Sequence, residues 1–355
     1  MSGILMMIIA IVVLGGAYLL YGRYLQNKWG IDPNAKTPAY ELEDGVDYVP
    51  ADTNVVFGHQ FASIAGAGPI NGPIQAAIFG WLPVLLWILI GGVFFGAVQD
   101  FASMYASVKN KGRTIGYIIE EYIGKLGKKL FLLFCWLFCI LVVAAFADVV
   151  AGTFNGFATS ESGAVTKVVA NGAVATTSML FIIEAVALGF FLKYSKFNKW
   201  VNTAVAVILL VVAIALGLNF PIYVSLGTWH LIIFAYILIA SVTPVWALLQ
   251  PRDYLNSYLL IFMILGAVIG VFVANPACNL EAFTAFSIPD ANGNPQYMFP
   301  ILFVTIACGA VSGFHSLVSS GTASKQIKNE KNMLPVSFGA MLMESMLAVL
   351  ALIAV

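Results

Sequence analysis

The chain is written in long apolar stretches separated by short polar ones. A helix that crosses a membrane needs about 20 apolar residues. Ten segments meet that pattern: 3–21, 58–80, 81–108, 126–152, 174–192, 200–219, 229–249, 255–274, 299–320 and 334–355. The segment 81–108 is too long for a hydrocarbon core of about 30 Å at about 1.5 Å per residue, so it is expected to tilt or protrude. No alternating strand pattern persists, which argues against a β-barrel. The stretch 3–20 lacks a basic leader and a small-residue cleavage site, so it reads as a retained helix.

Two segments carry signals that interrupt a helix. Segment 58–80 contains Gly66-Ala67-Gly68-Pro69 and then Gly72-Pro73. Proline donates no amide, and glycine favours unwinding. Unwound backbone is tolerated in a bilayer only where protein encloses it or it lines a cavity. Segment 229–249 contains Ser241-Val242-Thr243-Pro244. Counting from 58, a group of five segments begins on the inside and the next group begins on the outside, each group opening on an interrupted helix. That is the pattern of an inverted-repeat transporter. The expected organisation is an extra N-terminal helix at 1–21, a cytoplasmic loop at 22–56, a first five-helix repeat at 57–219 and a second repeat at 229–355. The second repeat shows four helices where five are expected, so the chain reads as C-terminally truncated.

Composition agrees with the pattern. Of 355 residues, 61% are hydrophobic and 10% charged, with a net charge of zero. This is a membrane composition and gives nucleic acid no basic surface to bind. When the loops are placed alternately on the two sides, every basic residue except Lys167 falls on one side. The positive-inside rule makes that side cytoplasmic and the N-terminus external. Residues 114–124 place Ile115, Ile118, Ile119 and Tyr122 at helical spacing between basic flanks, the mark of an interfacial helix. The four cysteines form no framework.

Ionisable groups inside a membrane cost about 2.5–3.5 kcal/mol each on insertion scales and are functional by default. Asp100, Asp148, Glu184, Glu344 and His315 lie within the apolar segments. Asp100, Glu184, Glu344 and His315 are candidates for ion coupling. Asp148, near an outer end, is a weaker candidate. His230, beside Trp229, reads as interfacial. His59 and Gln60 open the interrupted segment as a gate or proton relay. Ser63, Gly66, Gly68 and Asn71 offer hydroxyl, backbone and amide groups to a substrate, as does Thr243 at the second interruption. If the substrate carries a carboxylate, half-helix amides are positioned to hold it. No HExxH motif occurs, so a zinc hydrolase is not indicated.

Several long motifs carry a resemblance. They are FGHQFASIAGAGPINGPI (57–74), GWLPVLLWILIGGVFFGAVQDF (80–101), ADVVAGTFNG (147–156) and ACGAVSGFHSLVSSGTASKQ (307–326), with YGRYLQNKWGID (21–32) and DGVDYVP (44–50). Together they resemble the carbon starvation protein A family along essentially the whole chain. The resemblance implies a transporter of the bacterial inner membrane, taking up peptides or pyruvate during nutrient limitation. It places the fold in the amino acid–polyamine–organocation superfamily. In that superfamily, hydroxyls on the helix containing His315 often join carbonyls of the first broken helix around Na⁺. Ser319, Ser320 and Thr322 stand at those places here, with Ser319 and Ser320 as the first choice for a Na⁺ site. The implied cofactor is none beyond a coupling Na⁺ or H⁺, and the implied partners are a small solute and the bilayer. Two positions depart from the family pattern: Gln60 follows His59 where many members have a His pair, and Gln99 stands where some have His. Members also generally extend beyond position 355. A membrane-embedded nutrient sensor or a channel is the alternative, and an enzyme is not expected.

Overall fold

The computed structural model describes residues 2–159, 164–194, 199–243, 248–290 and 293–355. It is an all-α polytopic membrane protein, and its only sheets among the described residues are two short hairpins, 157–159 with 165–167 and 287–289 with 295–297. Seven described helices are long and apolar enough to cross a membrane. The remaining apolar segments are a shorter helix, Leu226–Val242, and two that are interrupted.

Packing divides the chain into two units. The first comprises residues 1–124 and 259–355. Its helices begin with α1 (Gly3–Lys28), which contains a π turn at Ala17–Gly22. The first interrupted segment follows as α2 (Thr53–Ile64) and α3 (Gly68–Ala76). Next come α4 (Trp81–Lys109), with a π turn at Gly92–Ala97, and the short α5 (Ile115–Tyr122). Helix α5 lies where the sequence places the interfacial helix. The long apolar reading of 81–108 is met by one 29-residue helix.

The second unit, residues 125–258, is built from α6 (Lys125–Phe154), α7 (Val169–Tyr194), α8 (Lys199–Asn219), α9 (Leu226–Val242) and the first part of α10 (Leu249–Ala274). Phe154 meets Trp229 edge-on at 5.1 Å, an arrangement favoured by the ring quadrupoles. Thr176 ties α7 to the end of α8: its hydroxyl donates to the Phe220 carbonyl and accepts from the Ile222 amide, both at 2.9 Å.

The first unit closes with a segment broken twice: α11 (Met298–Thr305), α12 (Ala307–Ala310) and α13 (Gly313–Gly321). It ends in α14 (Glu330–Ile353), with a π turn at Leu334–Gly339.

The two interruptions have different local causes. In the first, Ala65 leaves the helix at φ −76°, ψ 63°, and the Gly66 amide turns back to the Ile64 carbonyl at 2.8 Å. Pro69 then opens α3 at a position where its missing amide costs nothing. In the second, Val311 and Ser312 are extended, at φ −161°, ψ 123° and φ −128°, ψ 127°. Segment 299–320 carries no internal proline apart from Pro300 at its start, so the sequence reads it as a continuous helix. The structure corrects that reading. Gly309 and Gly313 flank the break, and side chains from neighbouring helices take up the carbonyls it frees. At the other expected interruption, α9 ends at Val242 and Thr243 is extended (φ −82°, ψ 135°), while Pro244 lies outside the described residues.

The two broken segments pack on each other. A side chain on Gly68 would collide with Cys308, and one on Gly72 with the Thr305 carbonyl. Only glycine lets α3 come this close to α11 and α12.

Candidate functional site

Beside the second break lies a cluster that the sequence does not bring together. Asp100 comes from α4, His315 from α13 and Glu344 from α14. All are buried, at 0%, 1% and 0% exposure. His315 Nδ1 is 3.1 Å from Asp100 Oδ2, within hydrogen-bond geometry. His315 Nε2 is 3.2 Å from Glu344 Oε2, a charge contact out of line for a hydrogen bond. Both ring nitrogens of one imidazole thus meet a carboxylate. Asp100 Oδ1 and both Glu344 oxygens have no hydrogen-bond partner among the described residues.

That arrangement has a physical consequence. Two carboxylates and one imidazolium carry one negative charge in excess, and a buried uncompensated charge is expensive. Adding a single proton makes the cluster neutral.

The supports of the cluster also hold the break open. Gln99 Nε2 donates to the Ser312 carbonyl at 3.0 Å, and Ser345 Oγ donates to the Gly309 carbonyl at 3.1 Å. Each supporting residue is the chain neighbour of a cluster acid: Gln99 of Asp100, Ser345 of Glu344. One turn further along α13, Ser319 accepts from Gln60 Nε2 at 2.9 Å. Gln60 and Ser319 are fully buried, and Gln60 Oε1 has no partner among the described residues. This contact joins α2 to α13.

The other candidates fall as follows. His59 is buried in α2, Ser63 is half-buried, and Gly66 and Asn71 are exposed. Ser320 Oγ donates to the Ser316 carbonyl at 2.7 Å, while the Ser320 carbonyl accepts from Ser107 and Ser324 at 3.0 and 2.9 Å. Thr322 caps the end of α13. Thr243 and Glu184 belong to the second unit, where Thr243 Oγ1 donates to the Ile239 carbonyl at 2.8 Å and Glu184 is half-buried in α7. In that unit Asp148, exposed, lies 3.1 Å from the half-buried His230. Sequence reasoning selects Asp100, His315 and Glu344 singly but pairs none of them. It notes Gln99 only as a departure from a family pattern, and it passes over Ser345.

A polar face closes one end of the first unit. Lys109 Nζ lies 2.7 and 2.9 Å from the two oxygens of Glu330, which also accepts from the Asp32 amide at 2.9 Å. Lys325 pairs with Asp47 at 3.2 Å and Lys328 with Asp52 at 2.7 Å. Asn329 Nδ2 donates to the Pro33 carbonyl at 2.6 Å. Loops that the charge tally assigns to a single side of the membrane thus lie together. Asp44 there accepts the amides of Val46, Asp47 and Tyr48, and these hold its carboxyl below the usual carboxylate range. A separate recess of about 430 Å³ is lined by Ile11, Leu14, Phe57, Leu342 and Met346, among others. Its lining is apolar and includes no candidate residue, so it does not suit a charged solute.

Fold and site define an all-α polytopic membrane protein with two interrupted segments packed on each other and a buried acid–histidine–acid cluster beside one break. The chain belongs to the carbon starvation protein CstA family, whose model matches residues 2–355. It is 36% identical over 353 residues to a peptide transporter CstA of Escherichia coli (strain K12), covering 95% of this chain and 48% of that protein. It is 38% identical over 351 residues to the pyruvate/proton symporter BtsT of the same organism, covering 95% of this chain and 47% of that protein. A peptide transporter CstA of Bacillus subtilis (strain 168) is 37% identical over 379 residues, covering 100% of this chain and 58% of that protein. The chain spans about half the length of the curated relatives it matches. No solved structure matches it.

Proposed function

We propose that this chain supplies the coupling core of a proton-driven importer of small organic solutes, peptides or pyruvate, working by alternating access in the bacterial inner membrane. In this reading the N-terminus is external and the polar face formed by residues 32–52, 109–113 and 322–332 is cytoplasmic. The observation that carries the reading is His315 held between Asp100 and Glu344, with all three side chains buried. Ion-coupled carriers need a site that binds the ion from one side and releases it to the other, and intramembrane acids and histidines serve as such relays. The names of the relatives support the same reading, since one is a pyruvate/proton symporter.

Ser319 and Ser320 favour Na⁺ less, because both hydroxyls already bond to protein: one accepts from Gln60 and the other donates to Ser316. Solute recognition is assigned to the interrupted segment, with Ser63, Gly66, Gly68 and Asn71 offering hydroxyl, backbone and amide groups. The test is uptake of labelled pyruvate and of a dipeptide into liposomes holding the protein, under an imposed pH gradient or an imposed Na⁺ gradient. Uptake driven by the pH gradient alone is expected. Uptake driven only by Na⁺ would move coupling to Ser319 and Ser320.

A further inference from the structure

Three helices of the first unit contain π turns, at Ala17–Gly22, Gly92–Ala97 and Leu334–Gly339. A π turn holds one residue more than the α register, so everything beyond it is rotated by about 100° around the helix axis. Asp100 follows the π turn of α4 within about one helical turn, and Glu344 follows that of α14 within about a turn and a half. Both acids that touch His315 therefore owe their direction to a π turn close before them.

The π turns are also in mutual contact. Tyr21 of the first lies 5.3 Å, ring to ring, from Phe94 of the second and 6.4 Å from Phe338 of the third. Phe338 in turn meets Phe101, the neighbour of Asp100, edge-on at 6.3 Å. The π turn of α4 also lies directly on the second break. A side chain on Gly92 would strike Ser345, and one on Gly96 would strike the Ala310 carbonyl.

We propose that the π turns at 92–97 and 334–339 are the moving parts of the carrier: they re-register between π and α when the cluster gains or loses its proton. This inference rests on the proton-driven reading above. With the cluster in its charged form, attraction to His315 holds both acids inward and sustains the π registers. A proton arriving on a carboxylate weakens that attraction. Relaxation of either turn to α register then swings its acid about 100° off the imidazole. The Tyr21–Phe94–Phe338 ring contacts make the two turns move together. Because the π turn of α4 lies against Ser345 and Ala310, its rotation disturbs the supports that keep the break at 309–312 open. Proton binding is thereby converted into a movement of the broken segment.

The test has two parts. Deletion of Phe95, an exposed residue of the π turn, closes α4 into continuous α register while both flanks keep their places. The deletion variant is expected to fold and to keep the carboxyl protonation signal of the cluster in infrared difference spectra, yet to lose proton-driven uptake. In parallel, single cysteines placed along 98–109, in a background without the native cysteines, are labelled at high and low pH. The accessible positions are expected to shift by one residue between the two. A deletion variant that transports like the parent, or an unchanged labelling pattern in a parent that does transport, overturns the inference and leaves the proton-driven reading standing. If the deletion variant does not fold, the labelling decides alone. A parent with no proton-driven uptake removes that reading and this inference with it.

Discussion

Glu344 Oε2 lies 3.2 Å from His315 Nε2, and neither carboxylate oxygen of Glu344 has a hydrogen bond from any described residue. The glutamate is held by charge and by enclosure, so its protonation state is free to change without breaking a bond network. Glu344→Gln keeps the volume and fixes the neutral form. It is expected to fold, to retain solute exchange across the membrane, and to lose uptake driven by a pH gradient. Counterflow and gradient-driven uptake, measured on the same liposomes, separate the two activities.

His315→Ala removes the imidazole between two buried acids. Breaking a buried pair by deleting one partner costs about 3–5 kcal/mol. A lower Tm in detergent is expected, together with loss of coupling. The double variant His315→Ala with Asp100→Asn is expected to recover part of the lost stability and none of the coupling. A double variant no more stable than the single one would show that the acids are not paired through His315.

The packing of the broken segments is tested through Cys308. Gly68→Ala is expected to destabilise the fold, because its new methyl meets the Cys308 side chain. Adding Cys308→Gly removes that side chain and is expected to restore the Tm. Gly72→Ala meets the Thr305 backbone instead, so no side-chain change rescues it. Equal rescue of both would mean that the close approach is not the cause.

Glu330 is nearly enclosed while Lys109 is about a third exposed, so the two partners are not equivalent. Lys109→Ala leaves a buried carboxylate whose remaining donor among the described residues is the Asp32 amide, and a loss of about 1–3 kcal/mol is expected. Glu330→Gln keeps an acceptor for that amide and is expected to cost less. Thermal unfolding of the two variants should rank in that order.

Asp44 is expected to show a pH signature outside the membrane. Its carboxyl is lowered by the amides of Val46, Tyr48 and Asp47. A group depressed in the folded state stabilises above its unfolded pKa and loses that contribution as pH falls through the folded one. Asp44→Ala is therefore expected to speed proteolysis of the loop at neutral pH. The difference from the parent should vanish in strong acid. A difference that persists there would assign the effect to the loop backbone.

The membrane class, the first interruption and the short helix at 115–122 were legible because each has a local cause: apolar length, Gly66 to Pro69, and apolar spacing between basic flanks. The second interruption was not. Its residues, Gly309 to Gly313, include no proline, and the break is sustained by Gln99 and Ser345 from distant helices. The cluster was legible only as isolated ionisable residues in apolar surroundings. Asp100 and His315 are 215 positions apart, and no periodicity reports a pairing at that range. The π turns leave no mark in apolar spacing, since one extra residue in a helix that is apolar all round changes no pattern.

Gln60 and Ser319 bond across 259 positions of chain. At about 5–20 residues per second, roughly 13–50 s of synthesis separate the two halves of that contact. Throughout that interval the segment from Thr53 to Ala76 has emerged with a broken backbone, a buried-type glutamine and no α13 to receive them. It cannot settle in lipid as an autonomous helix, because its freed amides and carbonyls would face hydrocarbon. Membrane insertion of this chain is thus ordered in time: the first interrupted segment is an early arrival whose polar partner, Ser319 of α13, is made 259 positions later.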